Sequence, residues 1–504
     1  MAAASRPDPA LPDSTAESVS APSTSTDPTP FGPREQLAVW VLLGSAFVVI
    51  LNETIMGVAL PRLMDALHIS ASAGQWLTTA FLLTMSVVIP ITGMLIQRIR
   101  TRTLFIAAMG FFTVGTAIAA AAPGFEMLLV GRVVQACGTA IMMPLLMTTV
   151  ITVVPEASRG RLMGRISIVI SVAPALGPTI SGVILEHFEW RWLFILVLPI
   201  SLAALIIGAL RMPNVGEPRK APIDALSVLL SLLGFGGLVY GLSAVGELAS
   251  GGSSVPPWIP VVIGVVSLVW FVLRQLSLQR RERALLDLRT FRSRPFAFSV
   301  LLFACASLAL FGSLILLPIF VQRVLGLSVF EAGLSLLPGG LVMGLLGPIV
   351  GRLVDRRGAR PVLIPGTIIT AIGLWGMGLF GVGTPLWFVI LTHVVMSVGL
   401  AATFTPLFTV SLGSLPHELA SYGSAMIGTV QQVAGAAGTA LFVTIMTLVS
   451  VAHAESPTAV GAAALASGTH VAFLIGGAVA TLGIVVALFV RDPAPQAQQV
   501  PVGH

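Results

Sequence analysis

Residues 90–98 read PITGMLIQR, and residues 348–356 read PIVGRLVDR. The proline, first isoleucine, glycine, leucine and final arginine recur at the same spacing, and both stretches continue to a further arginine, Arg102 in the first and Arg360 in the second. Each stretch ends one long apolar run and leads into the next. The chain is therefore predicted to contain two related halves that share this connection between helices.

The composition predicts an integral membrane protein. Of 504 residues, 56% are hydrophobic and 10% are charged, and the mean hydropathy is +0.97, whereas about a quarter of the residues in a soluble domain are charged. The net charge of +6 could indicate nucleic-acid binding, but the glycines and methionines lie in long apolar runs rather than beside basic stripes. We expect the lipid bilayer as a partner and no nucleic acid.

Residue types that hold metals or form disulfides do not cluster in the sequence. Cys137 and Cys305 lie inside apolar segments, so neither a disulfide framework nor a thiolate metal site is expected. The seven histidines are scattered, and the sequence has no Gly-x-x-x-x-Gly-Lys-Ser/Thr phosphate loop. The sequence predicts no metal, no cofactor and no direct use of ATP.

The apolar runs predict an all-α polytopic membrane protein with fourteen transmembrane helices. A bilayer core of about 30 Å requires about 20 apolar residues in helical form. Fourteen such stretches start near Leu37, Gln75, Thr103, Phe125, Leu162, Trp190, Asp224, Trp258, Phe296, Ala332, Pro361, Leu386, Tyr422 and Val471. Because the number is even, both termini are expected on one side of the membrane.

The basic residues predict which side that is. When loops are assigned to alternate sides, only Arg62, Arg191 and Arg323 fall opposite the termini, and Arg132 lies inside a helix. All other basic residues share the side of the termini. The positive-inside rule therefore places both termini in the cytoplasm, in a multi-pass protein of the plasma membrane.

The repeat occupies the second-to-third and the tenth-to-eleventh connections, which predicts two six-helix bundles with two additional helices between them. Repeated halves are typical of secondary transporters, whose substrate site lies between the halves near the membrane midplane. The N-terminal stretch is too polar to fold, and its first apolar run starts too late for a signal peptide. The predicted divisions are a disordered cytoplasmic tail at 1–34, an N-terminal bundle at 35–212, two additional helices at 213–280, a C-terminal bundle at 281–490 and a cytoplasmic tail at 491–504.

Four motifs carry a family resemblance. They are LNETI at 51–55, the arginine loop at 93–102, GRVVQACG at 131–138 and PALGPTISG at 174–182. With them, residues from about 36 to 490 resemble the fourteen-helix drug:proton antiporter branch of the major facilitator superfamily, a family of multidrug efflux transporters. The resemblance implies the major facilitator fold, and PALGPTISG is similar to the antiporter signature of that family.

The chain departs from the family pattern at two places. Many relatives carry an acid where this chain has Asn52, and here the acid follows one residue later, at Glu53. In the first arginine loop, Gln97 stands where the family usually has aspartate and Arg100 where it has glycine. The second copy keeps the pattern at Gly351, Asp355, Arg356 and Gly358.

Glu53 and Arg132 are the candidate proton-coupling residues. Glu53 is the one acid predicted far from a tail, loop or helix end, and Arg132 is the one embedded base. Charges inside a bilayer are costly and are retained mainly for function or pairing. Both residues lie at similar predicted depth, so Glu53 could carry the proton while Arg132 tunes it. The alternative is a static buried ion pair that fixes helix register.

The fifth helix is predicted to form a bendable seam of small residues. Ala173, Gly177 and Ser181 recur one turn apart, with Pro174, Pro178 and Gly182 beside them. Small residues let helix backbones approach closely, and prolines remove helix hydrogen bonds. The family resemblance implies that this motif seals the pathway against leak; an ordinary small-residue interface is the alternative.

The two arginine loops have two interpretations. They could be solvated anchors that obey the positive-inside rule, or they could gate the cytoplasmic side, with Asp355 forming ion pairs that break on opening. The candidate gating residues are Gly93, Gln97, Arg98, Arg102, Gly351, Asp355, Arg356, Gly358 and Arg360. Asp224, at the start of the seventh helix, is predicted to be an N-cap rather than a proton carrier.

Nine residues are candidates for the wall of a substrate cavity: Asn52, Met56, Gln75, Trp76, Gln135, Met143, His393, Phe404 and Gln431. For Gln75 and Trp76, an interfacial anchor is the alternative, and the methionines and phenylalanines could simply pack helices. A Met-rich apolar cavity would suit varied amphiphiles. A single acid in such a cavity favours lipophilic cations.

The sequence therefore predicts a monomeric secondary transporter that exports hydrophobic, often cationic, small molecules by alternating access in exchange for protons. A dedicated exporter of one metabolite, such as an antibiotic, lipid or siderophore, is the alternative within transport. An intramembrane enzyme needs paired acids, a Ser/His pair or a metal cluster within the spans, and a sensor would normally carry a soluble output domain. Neither is predicted here.

Overall fold

A computed structural model gives the fold of the chain. The structure describes residues 33–153, 173–174, 176–214, 224–249, 255–280, 284–454 and 461–490. These residues form helices and connecting turns, without a strand among them. Thirteen helices within them are long and apolar enough to cross a membrane, and helical residues 176–187 lie at the place of the predicted fifth helix.

We number the helices in chain order. They are α1 (Pro33–Leu67), α2 (Trp76–Arg98), α3 (Thr101–Ala120), α4 (Phe125–Val153), α5 (176–187), α6 (Val197–Arg211), α7 (Ala225–Ala249), α8 (Trp258–Gln279), α9 (Arg294–Ile319), α10 (Val329–Arg357), α11 (Arg360–Met377), α12 (Leu386–Gly413), α13 (His417–Ala452) and α14 (Ala462–Phe489). This is the all-α arrangement that the apolar runs predict. The predicted start of the fifth helix, Leu162, lies outside the described residues.

The prediction was wrong for the start of the last helix. We expected it near Val471, but α14 begins at Ala462. Residues 462–470 read AAALASGTH, in which serine, threonine and histidine lower the mean hydropathy, yet four of the nine are alanine, the best helix former. They also pack closely: a Cβ on Gly468 would overlap the backbone of Met446 on α13. At the other end of the chain, α1 begins at Pro33, just inside the predicted tail.

Within each half, glycines bring helices into backbone contact. A Cβ on Gly115 of α3 would lie 2.5 Å from the backbone nitrogen of Gln135 on α4. In the C-terminal half, a Cβ on Gly373 of α11 would lie 2.6 Å from the backbone nitrogen of Met396 on α12. Such close approach supplies van der Waals contact where lipid removes the hydrophobic driving force. The α3–α4 and α11–α12 pairs are therefore related features of the two halves.

We name the two ends of the molecule by their loops. The arginine-rich end carries the turns around residues 99–100, 212–214 and 358–359. The arginine-poor end carries those around 68–70, 121–124 and 325–328. At the arginine-rich end, Arg102 donates to the carbonyl of Ala209 at the end of α6.

The additional helix α7 lies across both halves near the arginine-poor end. Gln75, before α2, is fully buried, and its Nε2 donates to Ser243 Oγ on α7 at 2.8 Å. The Trp76 ring lies 5.6 Å from the Tyr240 ring of α7. On the other side, Thr444 of α13 donates to the carbonyl of Leu242 at 3.2 Å. This helix therefore contacts the N-terminal and the C-terminal half at the same level.

At the arginine-rich end, polar contacts join α7, α8 and the segment before α9. Asp224 accepts two hydrogen bonds of 2.7 Å from Arg274 of α8, and it accepts from the backbone of Ser227 as the N-cap of α7. Gln275 accepts hydrogen bonds from the backbone nitrogens of Leu285 and Leu286 at 2.8 and 3.2 Å. The N-cap prediction for Asp224 is confirmed.

Asp224→Asn should weaken this junction in a pH-dependent way. The hydrogen bonds from Arg274 lower the pKa of Asp224 from 3.8 to about 2. A lowered carboxyl pKa stabilises the fold at pH values above the unfolded pKa, and the contribution is lost as the pH falls through the folded pKa. We expect Asp224→Asn to cost about 1 kcal/mol at neutral pH and progressively less below pH 4. Thermal unfolding in detergent at several pH values measures this.

Glu126→Gln is the matched control, because Glu126 is exposed in the first turn of α4. It should unfold like the wild type at every pH. Equal unfolding temperatures for Asp224→Asn and the wild type at neutral pH would contradict the stabilising role of this junction.

Candidate functional site

Arg132 is the centre of a buried polar network in the N-terminal half. Its side chain is fully buried on α4. Nη1 donates to Asn52 Oδ1 at 2.9 Å and to Gln135 Oε1 at 3.1 Å, and Nε donates to the carbonyl of Leu77 at 3.3 Å. The guanidinium lies 4.0 Å from the centroid of the Phe81 ring. Helices α1, α2 and α4 thus meet at this one charge.

The network continues away from the arginine. Gln135 Nε2 donates to Thr116 Oγ1 on α3 at 2.8 Å, and Thr116 donates to the carbonyl of Phe112 at 2.7 Å. Arg132 Nη2 and Asn52 Nδ2 have no hydrogen-bond partner among the residues that the structure describes. Unsatisfied buried donors of this kind cost free energy unless water, an ion or a ligand reaches them.

Glu53 faces a different part of the molecule from Asn52. It lines a small cavity together with residues of α1, α2 and α9, namely Gly57, Thr78, Phe81, Leu82, Phe311, Leu314 and Ile315. The cavity, which we call the Glu53 cavity, lies between the two halves and has an apolar lining apart from Glu53 and Thr78.

Glu53 and Arg132 do not form an ion pair. Between described residues, no ion pair within 4.0 Å and no hydrogen bond involves the Glu53 carboxylate. Arg132 acts on Glu53 only as a neighbouring charge. A one-residue step turns a helix by about 100°. That turn explains how Asn52 contacts the arginine while the acid faces the cavity, so the static-pair alternative does not describe this arrangement.

The PALGPTISG motif packs tightly against α1. A Cβ on Gly177 would overlap the hydroxyl of Thr54 and lie 3.2 Å from the carbonyl of Leu51. Ser181 Oγ donates to the carbonyl of Ile55 at 3.0 Å and is fully buried. These contacts lie directly beside Glu53 along the helix, so any movement of α5 against α1 displaces the backbone that carries the acid.

The same motif contacts the C-terminal half. A Cβ on Gly333 of α10 would overlap the carbonyl of Pro178, and Thr179 Oγ1 donates to the carbonyl of Gly333 at 3.4 Å. A Cβ on Gly182 would lie 3.0 Å from the carbonyl of Val329. We call this surface, where α5 meets α1 and α10, the α5 seam. Both the seal and the ordinary-interface hypotheses require such packing; Pro174 is partly buried at its edge.

Contacts that the sequence did not predict join the halves at the arginine-poor end. Arg323 forms an ion pair with Asp65 at the end of α1 and donates to the carbonyl of Pro61 at 3.1 Å. Gln322 donates to the carbonyl of Val58 at 3.1 Å. Both donors lie in the π-helical turn Phe320–Val324 that extends α9. The signal available in the sequence was Arg323 itself, a rare basic residue on the predicted outer side.

The other predicted cavity residues are dispersed. Met56 is buried, Met143 is partly buried against the core of the N-terminal half, and Gln75 and Trp76 contact α7 instead of a lipid interface. In the C-terminal half, the Phe404 ring packs 5.6 Å from Phe303, Gln431 is partly exposed, and His393 is buried against α10. None of the nine predicted cavity residues lines the Glu53 cavity; of all the predicted site residues, only Glu53 does.

The arginine loops are exposed. Arg98, Arg102, Asp355, Arg356 and Arg360 have exposed side chains, and Gly93 is an exposed residue. Asp355 forms no ion pair with a described residue. Within the described ranges, the clamp by its ion pairs is therefore not formed in this conformation.

Each loop is nevertheless tied to its own half. Arg360 donates to the carbonyl of Leu488 at 3.3 Å, and Arg102 donates to the carbonyl of Ala209 at the end of α6. Gly358 ends α10 with φ of 83°, a left-handed conformation that favours glycine. Gly351 is partly buried, and the Gln97 side chain lies outside the described residues. No group of three or more His, Cys, Asp or Glu in the described residues could hold a metal ion.

Comparison with known proteins gives three kinds of match. The profile of the Major Facilitator Superfamily matches residues 42–439. The lincomycin resistance protein LmrB of Listeria monocytogenes is 41% identical over 453 residues, which are 89% of this chain and 95% of that protein. The multidrug resistance protein B homolog of Mycobacterium tuberculosis is 31% identical over 403 residues, which are 79% of this chain and 73% of that protein.

Among solved structures, a similar fold is that of a bacterial homolog to the human lysosomal transporter Spinster, in an inward-facing and unoccupied conformation. The TM-score is 0.65 at 15% sequence identity, and the match covers 92% of this chain and 99% of that chain. At this identity the likeness concerns the fold alone.

Proposed function

We propose that this chain, which belongs to the Major Facilitator Superfamily, exports hydrophobic and often cationic compounds across the plasma membrane in exchange for protons. The family and its relatives identify a multi-pass membrane transporter rather than an enzyme. In the orientation we propose, the arginine-rich end and both termini face the cytoplasm. Transport then moves compounds from the arginine-rich end to the arginine-poor end.

One observation carries the proposal: Glu53 lines the cavity between the halves without an ion pair or hydrogen bond to a described residue. A carboxyl group held in a membrane interior is costly and is retained mainly where it pairs or works. Since no described residue pairs with the Glu53 carboxylate, the carboxylate is free to bind a proton in one conformation and release it in another. Arg132 is the neighbouring charge that acts on this carboxylate.

The lining of the Glu53 cavity indicates the class of substrate. Phe81, Leu82, Phe311 and Leu314 offer apolar contact, and Glu53 is the one charged group among the lining residues. An amphiphile with a positive charge satisfies both features. Export of a cation against the membrane potential requires about 2.3 kcal/mol per charge per 100 mV, which proton entry can supply. The names of the relatives, lincomycin resistance and multidrug resistance, support export of such drugs.

Alternating access requires that contacts between the halves break in turn. The described hydrogen bonds and the ion pair that join α1 or α5 to α9 or α10 all lie toward the arginine-poor end. They hold that end closed. A conformation open to the arginine-poor end must release the Arg323–Asp65 pair and separate Gln322 from α1.

Asp65→Arg should therefore shift the protein toward opening at the arginine-poor end. Two like charges would replace the ion pair, which is partly exposed and contributes about 1 kcal/mol, so we expect a several-fold rise in the open population. The measurement is the rate at which a cysteine placed at Val58 reacts with a water-soluble maleimide, after Cys137 and Cys305 are replaced by alanine. The paired exchange Asp65→Arg with Arg323→Asp should restore the slow wild-type rate. Equal rates in all three proteins would contradict this role of the pair.

The direct test uses purified protein in liposomes that hold an imposed inward-acid gradient. Adding ethidium or lincomycin should release protons from the lumen at a rate that saturates with substrate and is absent from protein-free liposomes. Competition among unrelated cationic dyes would separate a multidrug exporter from a dedicated exporter of one metabolite. A folded wild-type protein that releases no protons with any of several cations would contradict the proposal.

A further inference from the structure

His393 is a buried imidazole without a hydrogen-bond partner. It lies on α12 with 7% of its surface exposed, Nδ1 has no partner, and no hydrogen bond joins the ring to a described residue. It is the one buried histidine among those whose side chains the structure describes. Leaving a buried polar group unpaired costs free energy. Packing alone gives no reason to keep it.

The internal repeat relates α4 to α12 through two glycines. A Cβ on Gly138 of α4 would overlap the carbonyl of Ala108 on α3, and a Cβ on Gly399 of α12 would lie 2.7 Å from the carbonyl of Gly366 on α11. The offset that carries PITGMLIQR onto PIVGRLVDR also carries Ala108 onto Gly366. Gly138 and Gly399 therefore occupy equivalent places in the two halves.

Counting back from these glycines places His393 at the position of Arg132. Arg132 and His393 each lie six residues before the glycine of their helix, and each lies about 10 Å inside the start of that helix. The repeat offset also carries Phe81 onto Gly339. The Arg132 guanidinium covers the Phe81 ring at 4.0 Å, and His393 Nδ1 lies 2.5 Å from where a Cβ on Gly339 would be.

The surroundings of the two equivalent residues differ. Arg132 is held by Asn52, Gln135 and the carbonyl of Leu77, whereas His393 has no partner. The helices packed against α12 are α9 with its π-helical turn, α10, α11 and α13. Their described titratable or charged groups are Arg294 and Cys305 of α9, Arg323 of the turn, Glu331, Arg352, Asp355, Arg356 and Arg357 of α10, Arg360 of α11 and Tyr422 of α13. Most of these groups lie at helix ends, and none forms a hydrogen bond or ion pair with the imidazole.

We propose that His393 is a second proton-binding site of the transporter, in the C-terminal half, and the inference rests on the proton-coupled function proposed above. Buried against Gly339 without a counter-charge, the imidazole is neutral in this conformation, because an unpaired charge there would lack solvation. When the arginine-poor end opens, water reaches the ring. An imidazole in water gains and loses a proton near neutral pH, so the opening and closing of the arginine-poor end loads and unloads it.

Histidine NMR tests the site without transport. Full-length protein in nanodiscs, with ¹³C-labelled histidine, gives a resonance that His393→Gln removes. In the wild type this resonance should not titrate between pH 5 and pH 9, and in Asp65→Arg, which favours opening, it should titrate. A resonance that behaves identically in both proteins, or that already titrates in the wild type like an exposed histidine, would overturn the proposal.

Proton counting in liposomes tests the consequence for transport. His393→Gln should lower the number of protons released per exported substrate by one and leave substrate binding in place. His187→Gln, at an exposed site, should keep the wild-type number. An unchanged number in a folded His393→Gln protein overturns the inference alone, whereas a wild type that releases no protons contradicts the proposed function and leaves the NMR result to decide on His393.

Discussion

Glu53→Gln should abolish proton movement and leave a folded protein that binds substrate. Glutamine keeps the shape of the side chain and its partial polarity but cannot exchange a proton. Because Glu53 forms no ion pair or hydrogen bond with a described residue, its replacement breaks no described contact. In liposomes with an inward-acid gradient, proton release on adding ethidium should fall to the level of protein-free liposomes, because without proton exchange at Glu53 the transport cycle stops and His393 is not loaded and unloaded either. Ethidium binding, followed by its fluorescence, should persist.

Glu331→Gln is the matched control for this experiment. Glu331 caps the start of α10 by accepting a hydrogen bond from the backbone of Ser328 at 2.8 Å, and glutamine can form the same capping box. It should transport like the wild type. Proton release by Glu53→Gln at the wild-type rate would place the proton site elsewhere, and loss of the folded protein would indicate that Glu53 is structural.

The position of Arg132 fits the proposed role of Glu53 as a proton carrier without an ion-pair partner. A direct ion pair would hold Glu53 deprotonated in every conformation, since an opposite charge in contact favours the charged form. In the structure Asn52 and Gln135 bind the guanidinium instead. The positive charge then acts on Glu53 from a distance that movement of α1 against α4 can change.

Gly177→Leu should eliminate coupled transport. A leucine side chain has no room at this position, because even a Cβ would overlap the Thr54 hydroxyl. Overpacking a tight interface costs about 1–3 kcal/mol, and relief requires α5 to move away from α1. Separation at the α5 seam displaces the segment that carries Glu53 and opens a route for leak. We expect proton release that no longer depends on substrate, or a lower unfolding temperature with no transport.

Gly44→Leu provides the comparison within α1. Gly44 is exposed, and a Cβ on it would meet no atom within 4 Å. The same substitution should leave transport and unfolding temperature at wild-type values. Normal coupled transport by Gly177→Leu would contradict both the sealing hypothesis and the simpler view that the seam is an essential packing interface.

Much of this architecture could be predicted from the sequence. Hydropathy located thirteen helices that the structure describes, and the repeated PITGMLIQR pattern indicated two halves. These features are local: a helix must satisfy its own backbone hydrogen bonds in a membrane, so its existence depends on the composition of one segment. The one large boundary error, at Val471, arose where alanine-rich residues are helical but only weakly apolar.

The candidate site was predicted in part. Embedded charge singled out Glu53 and Arg132, and small residues singled out Gly177 and Ser181. The contacts of Glu53 and Arg132 were not predictable. The sequence could not show that Asn52 would bind the Arg132 guanidinium while the Glu53 carboxylate faces the cavity. The contacts of Gln75 with Ser243, of Arg323 with Asp65 and of His393 with Gly339 were missed for the same reason.

The sequence by itself determined that the chain crosses a membrane many times, that its halves are related and that very few charges are embedded. Each of these follows from the cost of placing polar groups in hydrocarbon, which acts on every segment separately. Only the tertiary structure decided which charges meet, which glycines bring helices into contact and where the described polar contacts between the halves lie. Those facts depend on the relative placement of helices far apart in the chain, and close packing sets that placement.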